Sequence, residues 1–274
     1  MPLFPIDTSD RKPVGLTRET VSAIGIGTWA IRNPSKMVEA LVYAFTHGID
    51  NVDTAEMYGS GSAERVVGEA LKRVGRDNVF ITTKLLPYRF RSEDLAVKAA
   101  KASLDRLGVN YVDLILIHWP DDLASIGEQV RSLEALAERG LTRYIGVSNF
   151  DARLLEEALQ HTRKYDIVVD QVHYSVLHRH PEVELLPLTI KKGVLVQAYT
   201  PIERGRVAGV DLLVKIAEKY GKSPVQVALN YLISRPMVMA IPKTERVERV
   251  KEFIGAMGWR LAASDLENIE RSLY

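Results

Sequence analysis

The amino-acid sequence predicts an α/β protein, a (β/α)8 TIM barrel with an extra C-terminal helix, and three observations support this fold class. Short β-branched runs alternate with amphipathic helical patterns along the chain. Strict alternation of this kind implies parallel strands joined by right-handed crossovers. We count eight such units in 274 residues, with no Gly-, Ser- or Pro-rich linker between them. We therefore expect residues 1–274 to form a single barrel domain with its site at the carboxyl ends of the strands.

The predicted strands are short, and several are apolar on both faces, as is typical of parallel strands that are covered by helices. In chain order they are Ala23–Ile26, Ile49–Asp53, Val79–Lys84, Val112–His118, Arg143–Val147, Ile167–Val172, Val194–Ala198 and Val238–Ile241.

Helix signals lie between these strands. Ser92 precedes an apolar stripe over residues 97–107, and Gly108 follows it, which predicts a helix with an N-cap serine and a C-terminal glycine. Ser223-Pro224-Val225-Gln226 combines a capping box with proline at the first helical position. Ser264-Asp265-Leu266-Glu267 predicts a second capping box, which would begin the extra C-terminal helix.

Composition excludes several classes of function. The chain has 36 basic and 35 acidic side chains and no cysteine. The near-neutral balance argues against a nucleic-acid partner, and the missing thiols exclude disulfides, thiolate nucleophiles and zinc sites that need sulfur. Residues 1–7 lack a signal-peptide pattern, and no apolar run is long enough to span a membrane, so we expect a cytoplasmic protein without a membrane partner. The sequence leaves the oligomeric state open, with a monomer or weak dimer as the expectation.

One motif favours a different fold. Gly25-Ile26-Gly27-Thr28-Trp29-Ala30 matches the dinucleotide fingerprint G-x-G-x-x-A, which would suit a doubly wound open sheet. That fingerprint must open a helix directly, whereas Asn33-Pro34 intervenes before the next helical stripe at about Ser35. We therefore reject this alternative and expect the glycines to let the chain turn at the barrel mouth.

Polar residues end several otherwise apolar strands, where a barrel places its functional side chains. Asp53, Tyr58, Lys84 and His118 come from three consecutive strands and would form a proton-transfer unit. The lysine would lower the pKa of the tyrosine, the aspartate would hold the lysine, and the histidine would orient a substrate oxygen. Such an acid would suit protonation of an alkoxide. Each residue alone also fits a structural role, as a salt bridge, a strand cap or a packed ring.

A basic segment ends the last strand. Lys243, the Thr244 hydroxyl, Arg249 and the N-terminus of the following helix would together bind a phosphate group, although an exposed charged helix start is the alternative. Aromatic residues would surround the same mouth and suit an apolar substrate or a stacked cofactor ring. They are Trp29, Tyr58, Tyr88, Trp119 and Tyr199. The histidines lack metal-ligand spacing, so we expect no metal site.

Taken in order, these motifs resemble those of the aldo-keto reductases over nearly the whole chain. They are Gly25-Ile26-Gly27-Thr28-Trp29, Asp53-Thr54-Ala55-Glu56-Met57-Tyr58-Gly59, Thr83-Lys84, Leu116-Ile117-His118-Trp119-Pro120, Gly146-Val147-Ser148-Asn149-Phe150, Gln171-Val172-His173-Tyr174, Ala198-Tyr199-Thr200-Pro201 and Ile241-Pro242-Lys243-Thr244.

The resemblance implies a barrel that binds NADP(H) and reduces a small-molecule carbonyl substrate, an aldehyde or ketone, to an alcohol. It implies that Tyr58 is the general acid, with Asp53 and Lys84 beside it, and that His118 orients the carbonyl. The residues it implies for the cofactor are Gly27, Thr28, Trp29, Asp53, Ser148, Asn149, Gln171, Tyr199, Ile202, Lys243, Thr244, Arg249 and Glu252. Those implied for the substrate pocket are Trp29, Tyr58, Tyr88, His118 and Trp119.

The sequence departs from the family pattern at several positions. Phe253 stands where many members have asparagine, and His173 replaces the commoner glutamate. Ser175-Val176 replaces a usual His-Pro, and Glu203 falls where a glycine is common. None of these positions belongs to the proposed catalytic four.

Two rival functions remain open at this point. One is a Schiff-base aldolase on the same barrel, with Lys84 as the nucleophile. The other is a regulatory protein that binds NADPH but turns over slowly.

Overall fold

In the computed structural model, which describes residues 1–273, ten strands form an antiparallel hairpin and an eight-stranded parallel sheet. The hairpin consists of β1 (Arg11–Pro13) and β2 (Thr20–Ser22). The sheet consists of β3 (Ile26–Gly27), β4 (Asn51–Asp53), β5 (Phe80–Leu85), β6 (Val112–Ile117), β7 (Thr142–Ser148), β8 (Ile167–His173), β9 (Leu195–Tyr199) and β10 (Val238–Ala240). Its strand order follows the chain, and the Gly25 N–H donates to the carbonyl oxygen of Ala240 at 2.8 Å. This contact joins the first barrel strand to the last, so the predicted (β/α)8 fold class is confirmed.

Helices connect the strands and cover the outside of the barrel. Within residues 1–273 they are α1 (Pro34–Thr46), α2 (Ser62–Val74), α3 (Glu93–Leu107), α4 (Ile126–Glu138), α5 (Ala152–His161), α6 (Leu185–Lys192), α7 (Asp211–Tyr220), α8 (Pro224–Ile233), α9 (Val247–Ile254) and α10 (Ala263–Ser272). The connection between β9 and β10 contains two helices, α7 and α8, where the sequence pattern predicts one. Within the same residues, no helix is both long and apolar enough to cross a membrane.

Two of the three predicted caps are confirmed. The Ser92 hydroxyl accepts from the Leu95 N–H, and Gly108 ends α3 in the left-handed conformation. Ser223 and Gln226 form the reciprocal capping box of α8. The box predicted at Ser264 is wrong, because α10 begins at Ala263 and the N-cap position is Ala262.

A neighbouring helix holds the N-terminal end of α10 in place of a local side-chain cap. The Tyr220 hydroxyl accepts from the Ala262 N–H at 2.8 Å and donates to the Asp265 carboxylate at 2.5 Å. Contacts that come from another helix leave no local sequence pattern.

The N-terminal hairpin was not predicted. Val14 and Val21 are almost fully buried and pack in one apolar cluster with the inward-facing Phe80, Leu114 and Val168. Since Phe80 and Val168 lie near the amino ends of their strands, the hairpin covers that end of the barrel interior. The residues predicted to form the site lie at the opposite end, where the strands have their carboxyl ends.

Candidate active site

A cleft of about 930 Å³ lies at the carboxyl ends of the barrel strands. Nearly every strand contributes to it, because the carboxyl ends of parallel strands meet at one face of a barrel. The lining residues at or just after strand ends include Gly27, Asp53, Tyr58, His118, Ser148, Asn149, Gln171, Tyr199, Lys243 and Thr244. Residues far apart in the chain are thus brought into a single cleft, as the sequence analysis predicts.

Lys84 and Asp53 form a buried ion pair behind the cleft. The Lys84 ammonium group donates to Asp53 Oδ1 and, at 3.0 Å, to the carbonyl oxygen of Thr54. The two charged residues are only 1% and 3% exposed. The ammonium nitrogen lies 4.9 Å from the centre of the Tyr58 ring, so the lysine supports the tyrosine from behind the cleft.

Lys84 does not bring the pKa of Tyr58 below its ordinary value, so the expectation drawn from the sequence is wrong for the protein alone. Burial raises the pKa of the Tyr58 phenol well above its ordinary value, and the negative charge of Asp53 raises it further. The Asp53 charge thus acts on the phenol in the direction opposite to the one expected of Lys84. Tyr58 is therefore protonated at neutral pH and can donate a proton.

His118 stands beside Tyr58 as a neutral imidazole. The two ring centres are 5.7 Å apart, with the planes nearly perpendicular. Burial lowers the pKa of His118 to about 3, and the nearby Lys84 charge acts in the same direction. Among the described residues, Nδ1 of His118 is buried without a hydrogen-bond partner. A neutral, incompletely paired imidazole next to a protonated phenol suits the binding of a polar oxygen atom.

Gln171 connects this unit to the other side of the barrel. Its side-chain amide donates to Asp53 Oδ1 at 2.7 Å and to Gln197 Oε1 at 3.0 Å. Asp53 Oδ1 therefore accepts from both Lys84 and Gln171. One carboxylate oxygen therefore accepts a hydrogen bond from a predicted catalytic residue, Lys84, and from a predicted cofactor-binding residue, Gln171.

Asn149 completes the polar wall of the cleft. Its amide nitrogen donates to the carbonyl oxygen of His118 at 2.9 Å, and its Oδ1 accepts from the Tyr199 hydroxyl at 2.9 Å. Asn149 has a left-handed backbone (φ 62°), a conformation that asparagine tolerates better than most residues. The neighbouring Ser148 hydroxyl donates to the carbonyl oxygen of Gln171 at 2.8 Å. The amides and hydroxyls predicted for one end of a cofactor are thus brought together.

Gly25 and Gly27 serve close packing, and the predicted turn at the barrel mouth is wrong. Neither residue has a positive φ angle. A Cβ at Gly25 would lie 1.9 Å from Asn51 Oδ1, and a Cβ at Gly27 would lie 3.1 Å from the carbonyl oxygen of Ile241. Glycine fits these positions because the Asn51 side chain lies against Gly25 and the Ile241 backbone lies close to Gly27.

Of the two residues that follow Gly27, Trp29 lines the cleft and Thr28 does not. Thr28 is buried outside the cleft lining, and its hydroxyl donates to the Asp53 carbonyl oxygen at 2.9 Å, so it holds the strand end. Trp29 lines the cleft and is half exposed. The Arg204 guanidinium lies 5.4 Å from the Trp29 ring centre, which places a cation across the entrance.

The residues of the predicted phosphate site line the same cleft, and its cations already have acidic partners. Lys243 donates to Glu245 at 2.5 Å, and Arg249 pairs with Glu252. Lys243, Thr244 and Arg249 line the cleft, whereas Glu252 is turned toward Arg249 and lies outside the lining. A bound phosphate would therefore share these two cations with carboxylates.

Some of the remaining predicted site residues line the cleft, and one does not. Ile202 and Trp119 line the cleft as expected, and Phe253 does so as well. Tyr88 lies outside the lining and is 41% exposed, with the Arg89 guanidinium 4.7 Å from its ring centre.

Several other residues line the cleft to which the sequence assigned no role. They are Met57, Arg32, Arg204, Glu245 and Arg246. Glu245 has a clear structural reason to lie there, since it accepts from the backbone N–H groups of Arg32 and Asn33.

The cleft lining combines two kinds of chemistry. Amide groups and the Tyr199 ring suit a flat ring that carries a carboxamide, whereas Lys243, Arg249 and the start of α9 suit a phosphate. Within residues 1–273, no group of three or more His, Asp or Glu side chains is arranged to hold a metal ion.

Comparison with known proteins agrees with this chemistry. The family model described as "Aldo/keto reductase family" matches residues 23–273. The chain is 34% identical to methylglyoxal reductase YeaE of Escherichia coli K12 over 262 residues, which cover 92% of this chain and 91% of that protein.

Solved structures are similar over the same length. One is a thermostable aldo-keto reductase, Tm1743, in complex with the inhibitor epalrestat, with 37% identity, a TM-score of 0.91 and coverage of 95% of this chain and 98% of that one. Another is an aldo/keto reductase from Klebsiella pneumoniae in complex with NADP and acetate, with 32% identity, a TM-score of 0.89 and coverage of 96% and 95%.

Proposed function

The chain belongs to the aldo/keto reductase family, and we propose that it reduces small aldehydes or ketones to alcohols with NADPH, using Tyr58 as the general acid. The observation that carries this proposal is the pairing of Tyr58 with a neutral His118 on the cleft wall. The buried Lys84–Asp53 pair lies directly behind the tyrosine.

The protonation states suit reduction. Burial raises the pKa of Tyr58 and keeps its proton on the phenol until a stronger base arrives. An alkoxide, which forms when a carbonyl carbon accepts hydride, is such a base. His118, whose pKa is lowered to about 3 by burial, is uncharged and can orient the carbonyl oxygen by hydrogen bonding without competing as an acid.

Lys84 matters at the moment when Tyr58 gives up its proton. A positive charge 4.9 Å from the ring centre stabilises a phenolate by about 3 kcal/mol at an effective dielectric constant of about 20. The neighbouring Asp53 charge opposes this effect, and a neutral phenol gains nothing from the lysine before it gives up its proton. Lys84 thus favours the transition state over the ground state, which is the condition for a higher rate.

The cleft residues fit the cofactor that the relatives suggest. Ser148, Asn149 and Gln171 would hold a carboxamide, Tyr199 would pack against the nicotinamide ring, and Lys243 with Arg249 would bind the 2′-phosphate. When bound, the reduced nicotinamide supplies the hydride. The resemblance to a structure in complex with NADP supports this assignment.

The Schiff-base alternative fits the geometry less well. Lys84 is 1% exposed, lies outside the cleft lining and is held by Asp53 and Thr54. A substrate carbonyl would have to displace both partners to reach the amine.

The decisive experiment is a panel of carbonyl compounds followed at the NADPH absorbance band, with NADH in parallel. Methylglyoxal, glyoxal, benzaldehyde and a simple ketone cover the small-carbonyl range, and methylglyoxal comes first because a relative is named for it. We expect NADPH-dependent reduction of at least one member. Failure with all of them, together with borohydride trapping of a Lys84 adduct, would overturn the proposal in favour of an aldolase. NADPH binding without turnover would favour the slow regulatory protein.

A further inference from the structure

Three polar residues beside Tyr199 form a connected group outside the cleft lining. The Glu203 carboxylate oxygen Oε1 lies 2.7 Å from Nε2 of His173 and 2.7 Å from the Ser175 hydroxyl. We refer to His173, Ser175 and Glu203 as the Glu203 cluster. All three are positions where the sequence departs from the family pattern, so the departures are in mutual contact and form a single feature.

The cluster reaches Tyr199 through a stack of rings. His173 lies parallel to Tyr199, with the ring centres 5.6 Å apart and an interplanar angle of 11°. His178 stacks on His173 with ring centres 4.0 Å apart. His173 and Tyr199 are register partners on β8 and β9, so their side chains leave the sheet side by side. A shift of the His173 ring would therefore change the position of the Tyr199 ring.

The cluster also holds the segment 200–205, which lines the cleft after β9. Thr200, Glu203 and Arg204 all have left-handed backbones, with φ between 48° and 54°. Non-glycine residues adopt this conformation only where surrounding contacts enforce it. The Glu203 side chain supplies such contacts, because it ties the segment to the end of β8.

The charge of Glu203 is consistent with this role. Burial acts to raise its pKa, but the hydrogen bonds from Ser175 and His173 outweigh that effect, so the pKa of Glu203 is held below its ordinary value. An ionised carboxylate only accepts hydrogen bonds, so His173 must carry its proton on Nε2. The imidazole is thereby fixed in one orientation against Tyr199.

We propose that His173 and Glu203 are positioning residues that fix Tyr199 and the segment 200–205 as the wall for the nicotinamide half of the cofactor. This inference rests on the proposed function, because it takes NADPH as the ligand of the cleft. The two residues act through Tyr199 and do not themselves line the cleft. Their effect should therefore fall on one half of the cofactor only.

Calorimetric titration with two probes tests this without any turnover. NADPH contains the nicotinamide half, whereas adenosine 2′,5′-bisphosphate lacks it and reaches only the phosphate end. For His173→Ala and Glu203→Ala we expect the Kd of NADPH to rise about tenfold, as for a lost hydrogen bond to a charged group, and the Kd of the bisphosphate to stay within about twofold. Matched control variants at exposed positions, His47→Ala and Glu218→Ala, should change neither value.

Conservative variants separate the tether, which is the His173–Glu203 hydrogen bond, from the stack, which is the packing of the His173 ring beside Tyr199. His173→Gln keeps a donor for Glu203, whereas His173→Phe keeps a ring for Tyr199. Because the inference needs both the hydrogen bond to Glu203 and the ring beside Tyr199, we expect each variant to restore only part of the NADPH affinity that His173→Ala loses. Ser175→Ala removes the other donor to Glu203 but leaves the ring beside Tyr199, so it should give a smaller loss than His173→Ala.

Two results would overturn the inference. Equal losses for NADPH and the bisphosphate would mean that the cluster only supports the fold, and full affinity in His173→Phe would mean that the tether to Glu203 is irrelevant. If the unaltered protein binds the bisphosphate and NADPH but reduces no carbonyl, the proposed reaction fails while the positioning inference stands. If it binds neither, both fail.

Discussion

The Lys84 ammonium nitrogen lies 4.9 Å from the centre of the Tyr58 ring, and it donates its hydrogen bonds to Asp53 and to a main-chain carbonyl. The lysine thus acts on the phenol through space. Such an arrangement leaves the resting tyrosine protonated and still favours the phenolate that appears during proton donation.

Replacing Tyr58 with phenylalanine removes the proton donor and keeps the ring. We expect kcat for carbonyl reduction to fall by about 10²–10⁴-fold, the usual contribution of a general acid. The Kd of NADPH should remain within about twofold, as measured by quenching of tryptophan fluorescence. Near-normal turnover in this variant would exclude Tyr58 as the acid.

Replacing Lys84 with methionine removes the charge behind the phenol and keeps most of the side-chain volume. The lost stabilisation of about 3 kcal/mol corresponds to a fall in kcat of roughly a hundredfold. The variant also leaves Asp53 as a buried unpaired carboxylate, which should lower the free energy of unfolding. Single-turnover rates, measured beside a urea titration at the same temperature, separate the two effects. A rate unchanged in a folded variant would contradict the role given to Lys84.

His118 makes the stability of the protein depend on pH. Since its folded pKa of about 3 is below the unfolded value near 6.5, the unfolded chain takes up a proton first as the pH falls. The stabilisation is complete above about pH 6.5 and is lost as the pH falls toward 3. Between pH 7 and pH 5 this one group should cost about 2 kcal/mol of unfolding free energy.

Urea titrations of the wild type and of His118→Asn at the two pH values measure this loss. The asparagine variant should lose about 2 kcal/mol less than the wild type over the interval. Parallel losses in the two proteins would show that His118 is not the buried neutral base described above.

The preference for NADPH over NADH should depend on Lys243 and Arg249, which line the cleft. Lys243→Ala combined with Arg249→Ala removes both cations assigned to the 2′-phosphate. We expect the Kd of NADPH to rise by one to two orders of magnitude, since charge-assisted contacts are the strong ones, while the Kd of NADH changes by no more than about threefold. Equal losses for both cofactors would refute the phosphate assignment. Calorimetry with both cofactors on the same preparation provides the measurement.

Much of this site could be predicted because a barrel converts sequence order into spatial proximity. Asp53, Lys84 and His118 are about thirty residues apart in the chain, yet each lies at or near the end of a strand. Strand ends can be recognised from the change between apolar and polar residues, and parallel pairing then brings them together. The placement of the catalytic candidates followed from that rule, whereas their assigned roles await the experiments above.

Other features depend on contacts that have no local pattern. The hairpin of β1 and β2 has strands of three residues, which are too short for an alternating pattern to be recognised. The direction of the Tyr58 pKa shift depends on burial and on the balance between Lys84 and Asp53, and neither can be inferred from spacing. The left-handed backbone of Glu203 likewise follows from its partners on another strand.

The sharing of Asp53 Oδ1 by two neighbours limits which residues of this enzyme can change during evolution. The same oxygen atom accepts from Lys84 and from Gln171, so it belongs at once to the proton-donating unit and to the wall assigned to the cofactor. A mutation at this position would perturb both tasks together, and selection for one would be opposed by the other. Adaptation to new substrates is therefore expected at the exposed rim, where Trp29, Met57 and Trp119 can change without disturbing that shared atom.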